Sequence, residues 1–378
     1  MGRAYHPILC RNIIRQRSIF NVHALSPVQR SFHTFDLVVR PLPAEDFLAA
    51  EFPIVDVRSP GEFNRAHIPG AIPVPLFSDQ ERSVIGTLYE HEGRDRAVLE
   101  GLRYIGPRMA ALVEAIAAIA PDRKVRVHCW RGGERSGSVA WLLSKAGFKE
   151  VIVLSGGYKA FRQHVLRSFE RPLDLRVLGG FTGTGKTLIL QKLKKAGQQV
   201  IDLEQLACHK GSSFGSLGQQ PQPTTEQFEN LIWMELKALD PSQPIWIEDE
   251  SPMIGKVRIP APLFSLMREA TLLFLDLPLE QRAIQLVEEY GSHSRTELSA
   301  AIERITKRLG PQHAKAALEA LDNDDLYATA LITLRYYDKA YLRGQADRRP
   351  DRITRIPISR NEIPHLIERL KENVSIGI

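Results

Sequence analysis

Short apolar runs alternate along the chain with segments whose apolar residues recur every three or four positions. The runs have the length of buried strands, and the recurring positions are typical of helices with one apolar face. The predicted strands are residues 53–57, 125–128, 175–178, 200–203, 244–251, 272–277 and 352–356. The predicted helices are residues 109–120, 136–146, 186–196, 226–239, 297–344 and 363–371. The alternation predicts an α/β fold with a helical C-terminal part.

The composition changes near residues 162–172, where the pattern predicts a short basic helix and a linker. A chain of 378 residues has room for two domains, and we predict them at residues 36–165 and 172–378. Residues 1–35 form an extension with five arginines and no Asp or Glu. That composition is typical of an organelle transit peptide, and the alternatives are a disordered tail or upstream sequence read from a misplaced start.

Charge and cysteine content narrow the classes of function. Without the five arginines of the extension the net charge falls from +6 to +1, so bulk charge does not indicate a nucleic-acid partner. No apolar run reaches 18 residues, so we expect no membrane span. Cys10, Cys129 and Cys208 lie far apart, which argues against a disulfide framework or a zinc site. We expect a cytoplasmic protein, or an organellar one if residues 1–35 are a transit peptide.

A loop that opens on a cysteine joins the strand at residues 125–128 to the next helix. Besides Cys129 it holds two glycines and two arginines, Arg131 and Arg135. The glycines allow a tight turn with inward N–H groups, and the helix N-terminus and the arginines add positive charge. A thiol in that field is expected to be largely thiolate. The loop predicts a nucleophile in an oxyanion cradle, and the alternative is a buried structural cysteine.

A second glycine-rich loop lies between the strand at residues 175–178 and the following helix. Gly180, Gly183, Gly185, Lys186 and Thr187 complete the pattern G-x-x-x-x-G-K-T in a strand–loop–helix context. Loop amides and the helix N-terminus bind two phosphates, the lysine neutralises their charge, and the threonine can hold Mg²⁺. The pattern predicts a diphosphate site, with ATP as the default ligand and any other diphosphate as an alternative.

Polar residues after the strand at residues 200–203 are further candidates for this site. Open α/β sheets bind ligands at the carboxyl ends of their strands. His209, Lys210 and Ser212 lie in such a loop and are candidate substrate contacts. The neighbouring Cys208 is expected to be incidental.

The strand at residues 244–251 ends in three acidic residues, Glu248, Asp249 and Glu250. This arrangement is similar to a Walker B strand and suits a metal ion or its bound water. One or two of these acids are expected to function, and the others to cap a helix or face solvent. Arg282 begins a later helix and resembles the phosphate-side arginine of a P-loop kinase; a surface arginine is the alternative. No residue set indicates a certain metal site.

The helices predicted at residues 297–344 carry basic residues interleaved with tyrosines. Such a surface can bind RNA by stacking and charge neutralisation. A solvated basic face over core tyrosines is the alternative, and the spacing slightly favours it. The basic residues are Arg304, Lys307, Arg308, Lys315, Arg335, Lys339 and Arg343, and the tyrosines are Tyr336, Tyr337 and Tyr341.

From the residues alone, the chain combines a thiolate carrier with a phosphate-binding domain, and three functions fit. One is a transferase that moves a chalcogen onto an acceptor prepared at the P-loop. Another is a sulfurtransferase fused to an ATP-dependent small-molecule kinase. The last is a regulatory binding module with an idle cysteine, against which the intact loop around Cys129 argues.

Three motifs in the first domain resemble the rhodanese family: residues 54–63 with 67–72, residues 129–136, and residues 153–161. The resemblance implies a small α/β domain in which Cys129 carries sulfur or selenium as a persulfide or perselenide. In the first motif, Asp56 and Arg58 are expected to form a structural ion pair.

The P-loop and residues 81–89, 129–136 and 209–215 together resemble the tRNA 2-selenouridine synthase family over residues 36–345. The resemblance implies a rhodanese-like α/β domain followed by a P-loop NTPase-like α/β domain. It implies exchange of sulfur for selenium in the wobble 2-thiouridine of tRNA, through an S-geranylated intermediate. Geranyl diphosphate and selenophosphate are then substrates, Mg²⁺ can assist, and no prosthetic group is needed. The implied partners are tRNA and a selenophosphate-supplying enzyme, and we expect a monomer.

Overall fold

The computed structural model describes residues 38–345 and 348–372. The predictions for the extension at residues 1–35 therefore lie outside the described part of the chain. Within that part, no helix combines the length and the apolar character that crossing a membrane requires.

The first domain contains a five-stranded parallel sheet. Its strand order is β1-β5-β4-β2-β3, so β4, which leads to Cys129, lies in the centre. The prediction of a strand at residues 125–128 is confirmed. The strands are β1 (Val39–Leu42), β2 (Ile54–Asp56), β3 (Ile72–Pro73), β4 (Lys124–His128) and β5 (Glu150–Leu154).

Helices cover both faces of this sheet. Because side chains alternate along a strand, Val125 and Val127 pack on one face with residues of α5 and α6. Ile152 and Leu154 pack on the opposite face with residues of α1 and α7. The helices are α1 (Ala44–Ala49), α2 (Pro60–Arg65), α3 (Asp79–His91), α4 (Arg94–Ile105), α5 (Met109–Ile119), α6 (Glu134–Lys145) and α7 (Gly157–Ser168).

The prediction of a separate basic helix and linker at residues 162–172 is partly wrong. Residues 162–168 are the C-terminal half of α7, and only the residues after Ser168 connect the domains. The pattern misled because Phe161, Val165 and Phe169 pack toward the second domain, which the sequence does not reveal.

The second domain contains another five-stranded parallel sheet, in the order β12-β11-β6-β8-β7. The P-loop strand β6 lies directly beside β8, the strand that ends in acids. A short antiparallel pair, β9 and β10, follows β8. The strands are β6 (Leu175–Gly180), β7 (Gln199–Ile201), β8 (Ile245–Glu248), β9 (Met253–Ile254), β10 (Val257–Arg258), β11 (Thr271–Asp276) and β12 (Ile353–Pro357).

Helices α8 and α16 cover one face of the second sheet, and α10 and α11 cover the other. Helices α13 and α14 pack with part of α15 around a separate apolar core, which confirms the helical C-terminal part. The helices are α8 (Lys186–Lys195), α9 (Leu203–Ala207), α10 (Thr225–Lys237), α11 (Ala261–Glu269), α12 (Leu279–Tyr290), α13 (Arg295–Leu309), α14 (Pro311–Asp322), α15 (Leu326–Gln345) and α16 (Ile363–Glu372).

The two domains share one apolar core through α7 and α10. The rings of Phe161 and Trp233 meet edge to face with their centroids 5.1 Å apart. Asn230 of α10 is fully buried, and its amide donates to the Tyr158 hydroxyl and to the His67 carbonyl, both at 2.9 Å. Buried polar groups are satisfied across this boundary, so the relative placement of the domains is specific.

Candidate functional site

Cys129 lies where β4 ends, at the carboxyl edge of the first sheet. Its side chain is 3% exposed, and its Sγ lies 3.2 Å from the Oγ of Ser136 in the first turn of α6. The thiol therefore faces a hydroxyl at the N-terminal turn of a helix.

A second loop, between β5 and α7, holds the Cys129 loop in shape. The backbone N–H of Tyr158 donates to the Cys129 carbonyl at 2.8 Å, and that of Lys159 donates to the Trp130 carbonyl at 3.0 Å. Gly132 and Gly157 have positive φ, and a Cβ at Gly132 would lie 2.8 Å from the Gly157 nitrogen. Only glycines allow the two loops to approach this closely, which gives the motif at residues 153–161 its structural reason.

The two arginines of the loop have different surroundings. Arg131 is exposed. Arg135 binds Glu62 of α2, with 2.6 Å between its Nη1 and the carboxylate Oε2. Burial lowers the pKa of Arg135, but the hydrogen bond and charge of Glu62 outweigh it, so that the pKa is raised. The expectation of two free cations beside the thiol is thus corrected, because Glu62 neutralises one of them.

A buried ion pair lies behind the Cys129 loop, as the sequence predicted. Arg58 and Asp56 are fully buried, with 2.6 Å between Nη2 and Oδ2. The guanidinium also lies 4.0 Å from the centre of the Tyr158 ring. His128 lies beside this pair, and burial lowers its pKa to about 4, so it is neutral at physiological pH.

The P-loop joins β6 to α8 at the carboxyl edge of the second sheet. Gly180, Gly183 and Gly185 all have positive φ. The ammonium of Lys186 donates to the Gly180 carbonyl at 3.0 Å, and the Thr187 hydroxyl donates to a carboxylate oxygen of Glu204 at 2.8 Å. The loop opens into a cavity of about 900 Å³, which we call the P-loop cavity.

Two carboxyl groups, Glu204 and Glu250, line the P-loop cavity beside Lys186. Burial, followed by the charge of Glu204, raises the pKa of Glu250 well above its usual value. Burial also raises the pKa of Glu204, although Lys186 opposes the shift. Glu204 was not among the predicted site residues; its place just after β7, at a strand end, was the available signal.

The other two acids predicted at the end of β8, Glu248 and Asp249, make structural contacts. This leaves Glu250 as the candidate functional acid of residues 248–250. Glu248 is fully buried and accepts the backbone N–H of Leu203 at 2.9 Å, outside the lining of the P-loop cavity. Asp249 accepts from the Tyr341 hydroxyl and from Arg348, at 2.5 and 2.9 Å. Its carboxylate thereby anchors α15 and the chain beyond it to the end of β8.

The loop after α9 holds three predicted substrate contacts, and two of them lie at the P-loop cavity. Lys210 and Ser212 line the P-loop cavity, and the Lys210 ammonium lies 2.6 Å from a carboxylate oxygen of Glu289. His209 is buried outside that lining, and burial lowers its pKa. The prediction that His209 contacts substrate is therefore corrected: the close approach of Gly215 to the imidazole indicates a packing role.

Arg282 is 3% exposed, so the alternative of a surface arginine is wrong. Its guanidinium donates to both carboxylate oxygens of Asp338 at 2.8 Å and to the Thr182 carbonyl at 3.2 Å. These contacts link α12, α15 and the P-loop. Arg282 holds the loop in place while its own N–H groups are engaged by protein.

A basic groove runs between α13, α14 and α15. Tyr337 and Tyr341 are half-buried and pack against apolar cores, so the alternative of core tyrosines is right for them. Within residues 38–345 and 348–372, none of the five groove cations forms an ion pair, and all are exposed. Ala340 lines both this groove and the P-loop cavity, so the two adjoin at α15. The groove cations are Lys307, Arg308, Arg335, Lys339 and Arg343.

Two other predicted RNA contacts lie outside the groove. Arg304 donates to the Ser213 carbonyl at 2.8 Å, and Lys315 pairs with Glu319 at 3.7 Å. Arg304 and Lys315 therefore already have protein partners and do not line the groove, so the predicted set of basic residues reduces to the five groove cations.

The fold and the two loops define a class of protein: a thiol-bearing rhodanese-like domain joined to a P-loop domain. Comparison with known proteins agrees. The rhodanese-like domain model matches residues 43–164, and the model described as tRNA 2-selenouridine synthase AAA domain matches residues 173–373.

Proteins named tRNA 2-selenouridine synthase match most of the chain. The protein of Sulfurovum sp. (strain NBC37-1) is 36% identical over 297 residues, which are 72% of this chain and 79% of the relative. That of Shewanella loihica is 33% identical over 82% of this chain and 92% of the relative. That of Marinobacter nauticus is 34% identical over 77% and 88%. The chain belongs to the tRNA 2-selenouridine synthase family.

Proposed function

We propose that the protein converts the wobble 2-thiouridine of tRNA to 2-selenouridine in two steps, one at each loop. The observation that carries the proposal is that one chain holds two glycine-rich loops at helix N-termini, and that the first of them contains a cysteine, Cys129. The relatives' printed name, which is that of a tRNA selenouridine enzyme, supports the same reaction.

In the first step the P-loop binds the diphosphate of geranyl diphosphate. The thiouridine sulfur forms a bond to the first carbon of the geranyl group, and the carbon–oxygen bond breaks. Diphosphate leaves with the electron pair, and the base loses its N3 proton to solvent. Lys186 and the amides of Gly183–Gly185 stabilise the charge that develops on the leaving group.

In the second step, at the Cys129 loop, the sulfur of Cys129 attacks C2 of the base; a carbon–sulfur bond to Cys129 forms, the bond to the geranylated sulfur breaks, and geranylthiolate leaves with the electron pair. The selenium of selenophosphate then forms a bond to C2 and displaces the Cys129 sulfur, and water cleaves the selenium–phosphorus bond, so that phosphate leaves and selenium stays on the base. Geranylation assists because a thiolate leaves more readily than the sulfur of an unmodified thiocarbonyl. The exposed Arg131 and the loop amides would bind the phosphate oxygens of the donor.

Thr187, Glu204 and Glu250 present oxygen atoms on one side of the P-loop cavity. Oxygen donors are what Mg²⁺ prefers, and a P-loop threonine commonly supplies one. These residues fit a magnesium ion, which would neutralise the diphosphate. The selenophosphate-supplying enzyme is a partner by supply of substrate, and the groove cations are the proposed contact with tRNA phosphates.

The test is mass spectrometry of nucleosides from 2-thiouridine tRNA incubated with the protein. We expect S-geranyl-2-thiouridine with geranyl diphosphate alone and its conversion to 2-selenouridine when selenophosphate is added. Absence of both products, with consumption of ATP, would instead support a sulfurtransferase fused to a kinase.

A further inference from the structure

A small apolar side cavity opens beside the P-loop cavity and measures about 50 Å³. Helices α12, α13 and α15 supply most of its wall. It shares Thr182 of the P-loop, as well as Leu286 and Tyr290 of α12, with the larger cavity. The two spaces are therefore neighbours around the loop that binds phosphate. The apolar wall consists mainly of Phe214, Leu286, Val287, Leu298, Leu326 and Ala330.

Three of the polar side chains at the side cavity, those of Thr329, Thr333 and Tyr337, already have hydrogen-bond partners within the protein. Thr329 donates its hydroxyl to the Asp325 carbonyl at 2.8 Å, and Thr333 donates to the Thr329 carbonyl at 3.0 Å. The Tyr337 hydroxyl accepts the backbone N–H of Ser213 at 3.1 Å. A ligand with hydrogen-bonding groups, such as a nucleotide base, would find these groups engaged and would lose its own hydrogen bonds to water.

We propose that the side cavity binds the end of the prenyl chain of the diphosphate substrate. This inference rests on the proposed function, and it assigns the side cavity as the site that distinguishes a prenyl diphosphate from a nucleotide. An apolar chain gains from burial where no polar partner is offered, and the shared wall at Thr182 and Leu286 gives it a continuous path from the phosphate loop.

The size of the side cavity limits what enters it. One water molecule needs roughly 10–15 Å³ of such space, so about 50 Å³ admits a few carbon atoms, about one isoprenoid unit. The remainder of a geranyl chain would lie along Leu286 and Tyr290 in the P-loop cavity. The side cavity thereby sets the preferred chain length.

The first test fills the side cavity. Ala330→Leu adds three heavy atoms to a wall residue that is 8% exposed. We expect the affinity for geranyl diphosphate to fall about 10-fold or more, while the affinity for inorganic diphosphate, measured by calorimetry, stays unchanged. Ala118→Leu on the exposed side of α5 is the matched control and should change neither affinity. Unchanged binding of geranyl diphosphate by the Ala330→Leu protein would overturn the inference.

A second variant enlarges the side cavity and keeps the inference testable if the Ala330→Leu protein misfolds. Leu326→Ala should raise the affinity for farnesyl diphosphate relative to geranyl diphosphate about 10-fold, with inorganic diphosphate again as the measure of an intact P-loop. An unchanged ratio would count against the inference. If the unaltered protein geranylates tRNA but binds geranyl diphosphate no tighter than inorganic diphosphate, the side cavity fails while the proposed function stands. If it geranylates no tRNA, the proposed function itself fails.

Discussion

Lys186 occupies the position from which an ammonium group can neutralise a diphosphate at the N-terminus of α8. It lines the P-loop cavity and donates to the carbonyl of Gly180. Lys186→Ala should weaken inorganic diphosphate binding about 10- to 100-fold, because hydrogen bonds to charged groups contribute about 1.5–3 kcal/mol. Lys195→Ala, exposed on the same helix, is the control. Equal affinities of the two variants in calorimetry would remove the P-loop assignment.

Asp56 and Arg58 stabilise the first domain only as a pair. Asp56→Ala would leave the guanidinium of Arg58 buried without its carboxylate, which is expected to cost about 3–5 kcal/mol in the free energy of unfolding. The exposed pair of Arg40 with Glu150 is the comparison, and Arg40→Ala should cost less than about 1 kcal/mol.

Urea denaturation followed by circular dichroism measures both variants. Similar losses for the exposed and the buried pair would show that burial of the Asp56–Arg58 pair does not govern its contribution.

Single residues also show where sequence reasoning ends. Cys129, Lys186 and Thr187 could be predicted because each lies in a short motif whose residue types indicate the chemistry. Glu204 was missed and His209 over-interpreted, because their roles depend on which strand ends meet in space. The same limit applies to Arg135, whose partner Glu62 is distant in sequence.

At the scale of elements, the buried strands were the most predictable part of the fold. Strands β4, β6 and β11 are largely buried, and their boundaries differ from the predicted ones by only a few residues. Helices α3 and α4 were not predicted: α3 has no buried residue and α4 buries only Ala97 and Gly101. A weakly buried helix leaves a weak apolar period in the sequence.

The groove between α13, α14 and α15 should bind the phosphate backbone of tRNA. Each phosphate contact that is lost reduces the salt dependence of binding by about 0.7–0.9 in the slope of log K against log salt. Replacing Arg308, Arg335 and Lys339 together with alanine should therefore reduce the slope by about 2–3.

The matched control carries three substitutions to alanine at exposed lysines outside the groove and should keep the slope. Fluorescence anisotropy with labelled tRNA between 50 and about 200 mM salt measures both proteins. Equal slopes for the two triple variants would place the tRNA elsewhere. The control lysines are Lys145, Lys149 and Lys195.

At the scale of the whole molecule, the Cys129 loop and the P-loop do not share a cavity within the part of the chain that the structure describes. Among the described residues, those that line the P-loop cavity all belong to the second domain, so Cys129 does not open into it. In the proposed two-step reaction the wobble base would therefore leave one site before it reaches the other. The shared core of α7 and α10 fixes the domains against each other, so we expect the tRNA to move rather than the loops.

Movement of the tRNA predicts complementation between two defective proteins. A mixture of the Cys129→Ser and Lys186→Ala proteins should form 2-selenouridine, since one supplies geranylated tRNA and the other consumes it. Neither variant alone should form it from 2-thiouridine tRNA. Nucleoside mass spectrometry of the mixture measures the yield. If each variant performs its own half-reaction and the mixture still yields no 2-selenouridine, the intermediate stays on one chain.

The division of labour between the two loops is the central claim, and the Cys129→Ser protein tests it most directly. Nucleosides from 2-thiouridine tRNA would be analysed after incubation with geranyl diphosphate and selenophosphate. We expect the Cys129→Ser protein to accumulate S-geranyl-2-thiouridine at nearly the rate of the unaltered protein and to form no 2-selenouridine. Equal loss of both products in a folded Cys129→Ser protein would contradict it.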